Sequence, residues 1–122
     1  MALQPLPKQP LSQSRLLEEM TNVIVDVAEP EKIILFGSRA SGTAGPHSDY
    51  DFLVVEADPF EMGRSRLQAA DDVMWALSRF HVSTDILFFS VKEVEHWSQS
   101  LNHVIACAFR EGKVLYERPA AS

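Results

Sequence analysis

Along the first third of the chain, apolar residues recur at helical spacing. Leu16, Leu17, Met20, Val23, Ile24 and Val27 fall on one stripe beginning near Ser14, and Pro30 stops it, which predicts an amphipathic helix. Lys32-Ile-Ile-Leu-Phe36 is short, β-branched at two positions and runs into Gly37, as a buried strand entering a turn does. Residues 37–48 lose apolar periodicity and hold three of the five glycines, so they read as a loop with room for one helical turn. Asp49 to Val55 forms a second strand that starts acidic and becomes apolar. Asp58-Pro59-Phe60-Glu61 carries a helix start: an Asp cap, Pro at the first helical position and Glu three residues after the cap. Leu67, Ala70, Met74 and Leu77 continue that helix at 3/4 spacing. Val82 to Phe89 is a third strand, and Ser90 with Glu93 repeats the capping signature. Leu101, Val104, Ile105, Ala108 and Phe109 mark a last helix closed by Gly112, and Val114 to Tyr116 adds a short edge strand.

This order predicts an α/β (α+β) domain with a small mixed β-sheet and flanking helices. A single domain spans residues 12–118, between a flexible proline-containing lead-in at 1–11 and a polar tail at 119–122. At 122 residues and 46% apolar, the chain can pack one core but has no second domain to hold a large substrate, so another molecule would complete an enzyme site of this size. With 11 Lys+Arg against 17 Asp+Glu the net charge is −6, which argues against duplex nucleic acid as the primary partner, because such binding draws on clustered cations. The single cysteine, Cys107, can form neither an internal disulfide nor a Cys-rich zinc site, as suits a reducing cytoplasm. Val104 to Phe109, the longest apolar run, is far short of the roughly 20 residues a membrane span requires. No charged leader with an apolar segment precedes the fold, so a cytoplasmic, non-membrane protein is expected.

The informative constellation is Gly37-Ser38, ten residues, then Asp49-Tyr50-Asp51. On an extended strand Asp49 and Asp51 share a side, about 7 Å apart along the backbone, with Tyr50 on the other. Two carboxylates so close oppose each other's ionisation unless a cation lies between them, and hard oxygen donors without a Cys/His set suit Mg²⁺ or Mn²⁺. Gly37 lets the backbone turn without a Cβ, the following N–H groups can face an anion, and Ser38 and Arg39 add side-chain donors. If the two strands pair antiparallel, this loop and the carboxylates meet at one sheet edge. The helix after the second strand makes a crossover, which favours parallel pairing of strands two and three and brings Asp85 beside the pair. An acid inside the apolar Val82–Phe89 strand is costly to bury unpaired, and a metal ligand accounts for it. Three such acids can hold two divalent ions that bridge a nucleoside triphosphate, activate an acceptor hydroxyl and stabilise leaving pyrophosphate. A phosphate loop would need Lys where Thr43 stands, and a calcium loop starting at Asp49 would need Gly and Glu where Val54 and Phe60 stand. Other residues take ordinary roles. Tyr50 is core or partner contact, Trp75 and Trp97 pack the helices, and Cys107 is a small core residue. His47, His81, His96 and His103 are surface or structural, and Glu18-Glu19 and Asp71-Asp72 are solvated helix faces.

Phe36-Gly37-Ser38, the ten-residue gap, Asp49-x-Asp51 and the later strand acid Asp85 resemble the polymerase-β-like nucleotidyltransferase superfamily, specifically its minimal nucleotidyltransferase (MNT) domains. The resemblance covers the chain from Ser14 to Tyr116, element order included. It implies the polymerase-β-like nucleotidyltransferase fold, Gly37, Ser38 and Arg39 holding ATP phosphates, and Asp49, Asp51 and Asp85 as catalytic and Mg²⁺-binding residues, Asp85 also serving near the acceptor. It further implies a helical HEPN-type toxin as partner in a hetero-oligomer. The MNT chain would act as antitoxin, moving AMP from ATP to a tyrosine of that toxin. A non-catalytic antitoxin that masks its partner by binding, and the catalytic subunit of a small-molecule, aminoglycoside-type nucleotidyltransferase, stand as alternatives. The chain departs from many relatives at Ser41, where a second Arg is common, and at His47, where an acidic or polar residue is common.

Overall fold

A computed structural model of the chain describes residues 13–45, 48–57, 66–97 and 103–119. The lead-in at 1–11, His47, the helix start at Asp58–Glu61, Leu101 and all but the first residue of the tail lie outside these residues. The elements are α1 (Gln13–Ala28), β1 (Lys32–Phe36), α2 (Ser38–Ser41), β2 (Tyr50–Glu56), α3 (Arg66–Leu77), β3 (Thr84–Ser90), α4 (Val91–Trp97), α5 (Val104–Glu111) and β4 (Lys113–Glu117). A 3₁₀ turn at Ser78–Phe80 links α3 to β3.

The four strands form one mixed sheet in the order β3-β2-β1-β4. β1 and β2 pair antiparallel across the 37–49 loop, with Phe36 opposite Asp51. β2 and β3 pair parallel through the α3 crossover, with Asp51 opposite Asp85. Alternation along the strands divides the core into two layers. Leu35, Phe52, Val54 and Phe88 face one side with Met20 and Ile24 of α1 and Val73 and Leu77 of α3. Ile34, Leu53 and Val55 face the other, under Ile105 and Ala108 of α5, with Val91 and Val94 of α4 packed alongside. Each large side chain buried this way contributes on the order of 1.5–3 kcal/mol, which holds helices on both faces of so small a sheet.

The termini of α4 and α5 show how local chemistry sets the chain path. Ser90 N–H donates to Glu93 Oε1 at 2.9 Å while Glu93 N–H donates to Ser90 Oγ at 3.2 Å, the reciprocal cap that the sequence predicts. Gly112 ends α5 with its N–H on Ala108 O, in an extended conformation (φ −83°) rather than a left-handed one. What demands glycine there is space, since a Cβ would sit 2.6 Å from Ile34 Cγ2 and 2.7 Å from Leu35 O. β4 then pairs with β1, a bulge at Leu115 shifting the register between Ile33 and Ile34.

Several expectations are corrected. The buried stripe of α3 is Val73 and Leu77 with Ala69 and Ala70 beside them, whereas Leu67 (78% exposed) and Met74 (43%) point to solvent. Trp75 does not pack the helices, being 82% exposed, because apolar residues surround α3 and periodicity alone does not choose which side meets the sheet. Trp97 is 39% exposed and stacks on His103, while Cys107 is half-buried rather than core.

Candidate active site

Gly37 closes β1 at φ 74° and ψ −156°, a backbone region that glycine alone enters cheaply. The turn aims the chain into α2, whose first turn is tied by Ala40 and Ser41 N–H groups donating to Gly37 O at 3.1 Å each. Ala40 buries against the core, and Gly42, in the left-handed region (φ 83°), ends the helix with its N–H on Ser38 O. Ser38 therefore opens a one-turn helix at the mouth of the β1–β2 edge, half-buried, at the end of a helix where the first N–H groups have no preceding turn to donate to.

The same edge carries the acids. A Cβ built on Gly37 would fall on Asp51 Oδ2, so the glycine backbone and the Asp51 carboxylate are packed against each other. Asp51 is half-buried, and Asp49, one residue before β2, and Asp85, the second residue of β3, are exposed. Burial, the Asp85 and Asp49 charges, and a side-chain hydrogen bond shared with Asp85 together hold the Asp51 carboxyl above the usual carboxylate range. The structure thus sets Asp85 beside Asp51 on the neighbouring strand and Asp49 near enough to act on Asp51 through space. Tyr50 N–H donates to Ser83 O at 2.9 Å and knits the starts of β2 and β3 together.

Among the described residues no three His, Cys, Asp or Glu side chains already form an ion-binding group. The donor set nevertheless fits a hard divalent cation: oxygen ligands only, on adjacent strands, with one carboxyl pushed toward its protonated form by burial and by the neighbouring acids. Asp49, Asp51 and Asp85 are the residues that would hold it.

Arg39 does not join this group. Its guanidinium donates from Nε and Nη2 to Ser48 O at 3.2 and 2.9 Å and lies 4.3 Å over the Tyr50 ring. Tyr50 belongs to the α1/α3 side of the sheet, opposite to Asp51 by alternation, so Arg39 braces the entry to β2 rather than facing the acids. The sequence offered no sign of this, because the acceptor is a backbone carbonyl. A cavity of about 340 Å³ between α1 and β4, lined by Leu17, Thr21, Leu115 and Tyr116 among others, contains none of the candidate residues. The candidate residues Gly37, Asp51 and Asp85 lie together at the strand edge instead.

The family model described as the nucleotidyltransferase domain matches residues 17–107. A protein adenylyltransferase, MntA, from Aphanizomenon flos-aquae (strain 2012/KM1/D3) is 28% identical over 109 residues, covering 87% of this chain and 69% of that protein. Two crystal structures share the fold. One, of a toxin–antitoxin with AMP-PNP, matches at a TM-score of 0.54 and 23% identity, over 83% of this chain and 73% of that one. The other, of the toxin–antitoxin MntA–HepT, matches at 0.52 and 19% identity, over 87% and 74%.

Proposed function

Because the chain belongs to the nucleotidyltransferase domain family, we propose that it is an antitoxin of the MNT kind that transfers AMP from ATP, with Mg²⁺, to a tyrosine hydroxyl of a helical HEPN-type toxin. The observation that carries this reading is the packing of the Gly37 backbone against Asp51, with Asp85 in register on the next strand. Phosphate donors and acids then border one volume. A relative over most of the chain is a protein adenylyltransferase, which supports a protein acceptor.

In this reading the loop from Gly37 and the Ser38 hydroxyl hold the triphosphate, next to the Asp51 carboxylate that a Cβ at residue 37 would displace. Asp49, Asp51 and Asp85 would hold Mg²⁺, one or two ions, which neutralises phosphate charge when bound. The acceptor oxygen attacks the α-phosphorus, the bond from that phosphorus to the bridging oxygen of the β-phosphate breaks, and pyrophosphate leaves. Asp85, exposed at the mouth, takes the acceptor proton. Arg39 keeps Ser48, and with it Asp49, in place.

The test is incubation of the chain with ATP labelled in the α-phosphate, Mg²⁺ and the protein encoded beside it. Label on a tyrosine of that protein is expected. Label confined to a small hydroxylated compound, or neutralisation that survives Asp49→Asn with Asp51→Asn, would overturn it.

A further inference from the structure

The sheet edge that carries Asp49, Asp51 and Asp85 also carries a hydroxyl, that of Ser83. Val82, Ile86 and Phe88 pack in the layer under α1 and α3, and Phe89 packs in the other layer. Side chains alternate along an extended chain, so Ser83 stands on the same face as Asp85. The first pair of the β2–β3 ladder is Tyr50 with Thr84, and Tyr50 N–H donates to Ser83 O at 2.9 Å. One step earlier, Ser83 therefore lies opposite Asp49. Neighbouring strands run about 4.8 Å apart, within reach of a serine hydroxyl, whereas Asp85 is two residues along the same strand, roughly 7 Å away.

We propose that Ser83 is a positioning residue for Asp49, its O–H donating to the Asp49 carboxylate and turning that group toward the cation. The proposal rests on the metal-dependent transfer reading. The backbone around Asp49 is held on both sides: the Arg39 guanidinium grips Ser48 O at 2.9 and 3.2 Å, and Ser83 O takes the Tyr50 N–H. Those bonds do not set the torsions of the Asp49 side chain, and a donor on the facing strand does. A hydroxyl suits the task because it donates without adding charge, whereas a Lys or Arg there would neutralise the acids and repel the cation. Ser83 and Asp49 are both exposed, at the open end of the edge where the metal and nucleotide would enter.

The test measures Mn²⁺ affinity of the full chain by electron paramagnetic resonance without nucleotide, beside the Mg²⁺ dependence of AMP transfer. Ser83→Ala keeps the carbonyl that Tyr50 uses, so its urea midpoint should be unchanged. It should bind Mn²⁺ about tenfold more weakly and need correspondingly more Mg²⁺ for half-maximal transfer, the scale of losing a group that orients a metal ligand. Ser83→Thr keeps the hydroxyl on a residue at home in a strand and should restore both. In an Asp49→Asn background Ser83→Ala should cost nothing further. Mn²⁺ affinity of Ser83→Ala within twofold of the unaltered chain would overturn the proposal, as would Ser83→Thr being as weak as Ser83→Ala. So would a loss that persists beside Asp49→Asn, since a hydroxyl acting directly on metal or acceptor does not require Asp49. Failure of the transfer reading is separately visible: Mn²⁺ affinity would follow the expected pattern while no protein is labelled. An unaltered chain that binds no Mn²⁺ would overturn the metal reading and this proposal together.

Discussion

Gly37 and Gly42 flank the same four-residue helix, both at positive φ, and differ in what lies beside them. A Cβ at Gly42 meets nothing within 4 Å, whereas one at Gly37 lands on the Asp51 carboxylate. Gly42→Ala should therefore cost only the left-handed backbone penalty, about 1–2 kcal/mol, and leave transfer within a fewfold of normal. Gly37→Ala adds the displaced carboxylate to a glycine-only conformation costing roughly 1–3 kcal/mol. Urea melts paired with transfer assays should show both variants folded and only the second inactive. Asp51→Asn separates charge from shape at the same point. Its carboxyl is held above the usual range by burial and by Asp85 and Asp49, so the amide relieves repulsion in the metal-free protein. Its metal-free melting temperature should stay level or rise while transfer falls on the order of 100-fold or more. A marked loss of metal-free stability would contradict this account of the acids. Asp85 was legible because an acid interrupts an apolar strand. The role of Arg39 was not, since a guanidinium that caps Ser48 O over a tyrosine ring leaves no mark in residue spacing.

Among the elements, α4 shows a short helix held by its first turn. Burial alone would raise the Glu93 carboxyl, but the Ser90 N–H, the Arg66 guanidinium at 2.7 Å and the Ser90 hydroxyl outweigh it and hold it below its ordinary value. The stabilisation is complete above the unfolded value near 4.5 and disappears as the pH falls through the lowered folded one. Glu93→Gln should cost about 1 kcal/mol at neutral pH, in the range of a lost helix cap. Denaturant curves of the two proteins should converge as the pH drops from about 6 to about 3. A constant gap would mean that shape rather than charge makes the cap. Strand positions were legible because five-residue β1 is bounded by Pro30 and Gly37, while the starts of β2 and β3 came out one and two residues later than read. There the edge chemistry intervenes: Tyr50 N–H already bonds Ser83 O before the ladder proper. The face of α3 was not legible, because Val73 and Leu77 on one side and Leu67, Met74 and Trp75 on the other give the period no direction.

For the whole molecule, topology does the assembling. The antiparallel turn from β1 to β2 places Gly37 against Asp51, and the parallel crossover from β2 to β3 places Asp85 opposite it, so three distant segments meet at one sheet edge. That arrangement depends on β1 being an inner strand, which it is only because β4 covers its far side. Arg118 fixes the end of that pairing, its backbone N–H on Glu31 O at 2.8 Å and its guanidinium on the Glu31 carboxylate at 2.9 Å. Ending the chain at Glu111 removes β4 without touching any candidate site residue. It leaves β1 as an edge strand, free to fray toward Gly37. The truncated protein should lose hydrogen-exchange protection at Ile33 and Leu35 first, with the β2–β3 amides protected longer. Its affinity for AMP-PNP should fall by about tenfold or more, near 1.4 kcal/mol, in step with the loss at β1. Unchanged affinity alongside a frayed β1 would show that the phosphate loop holds its shape without the strand that leads into it.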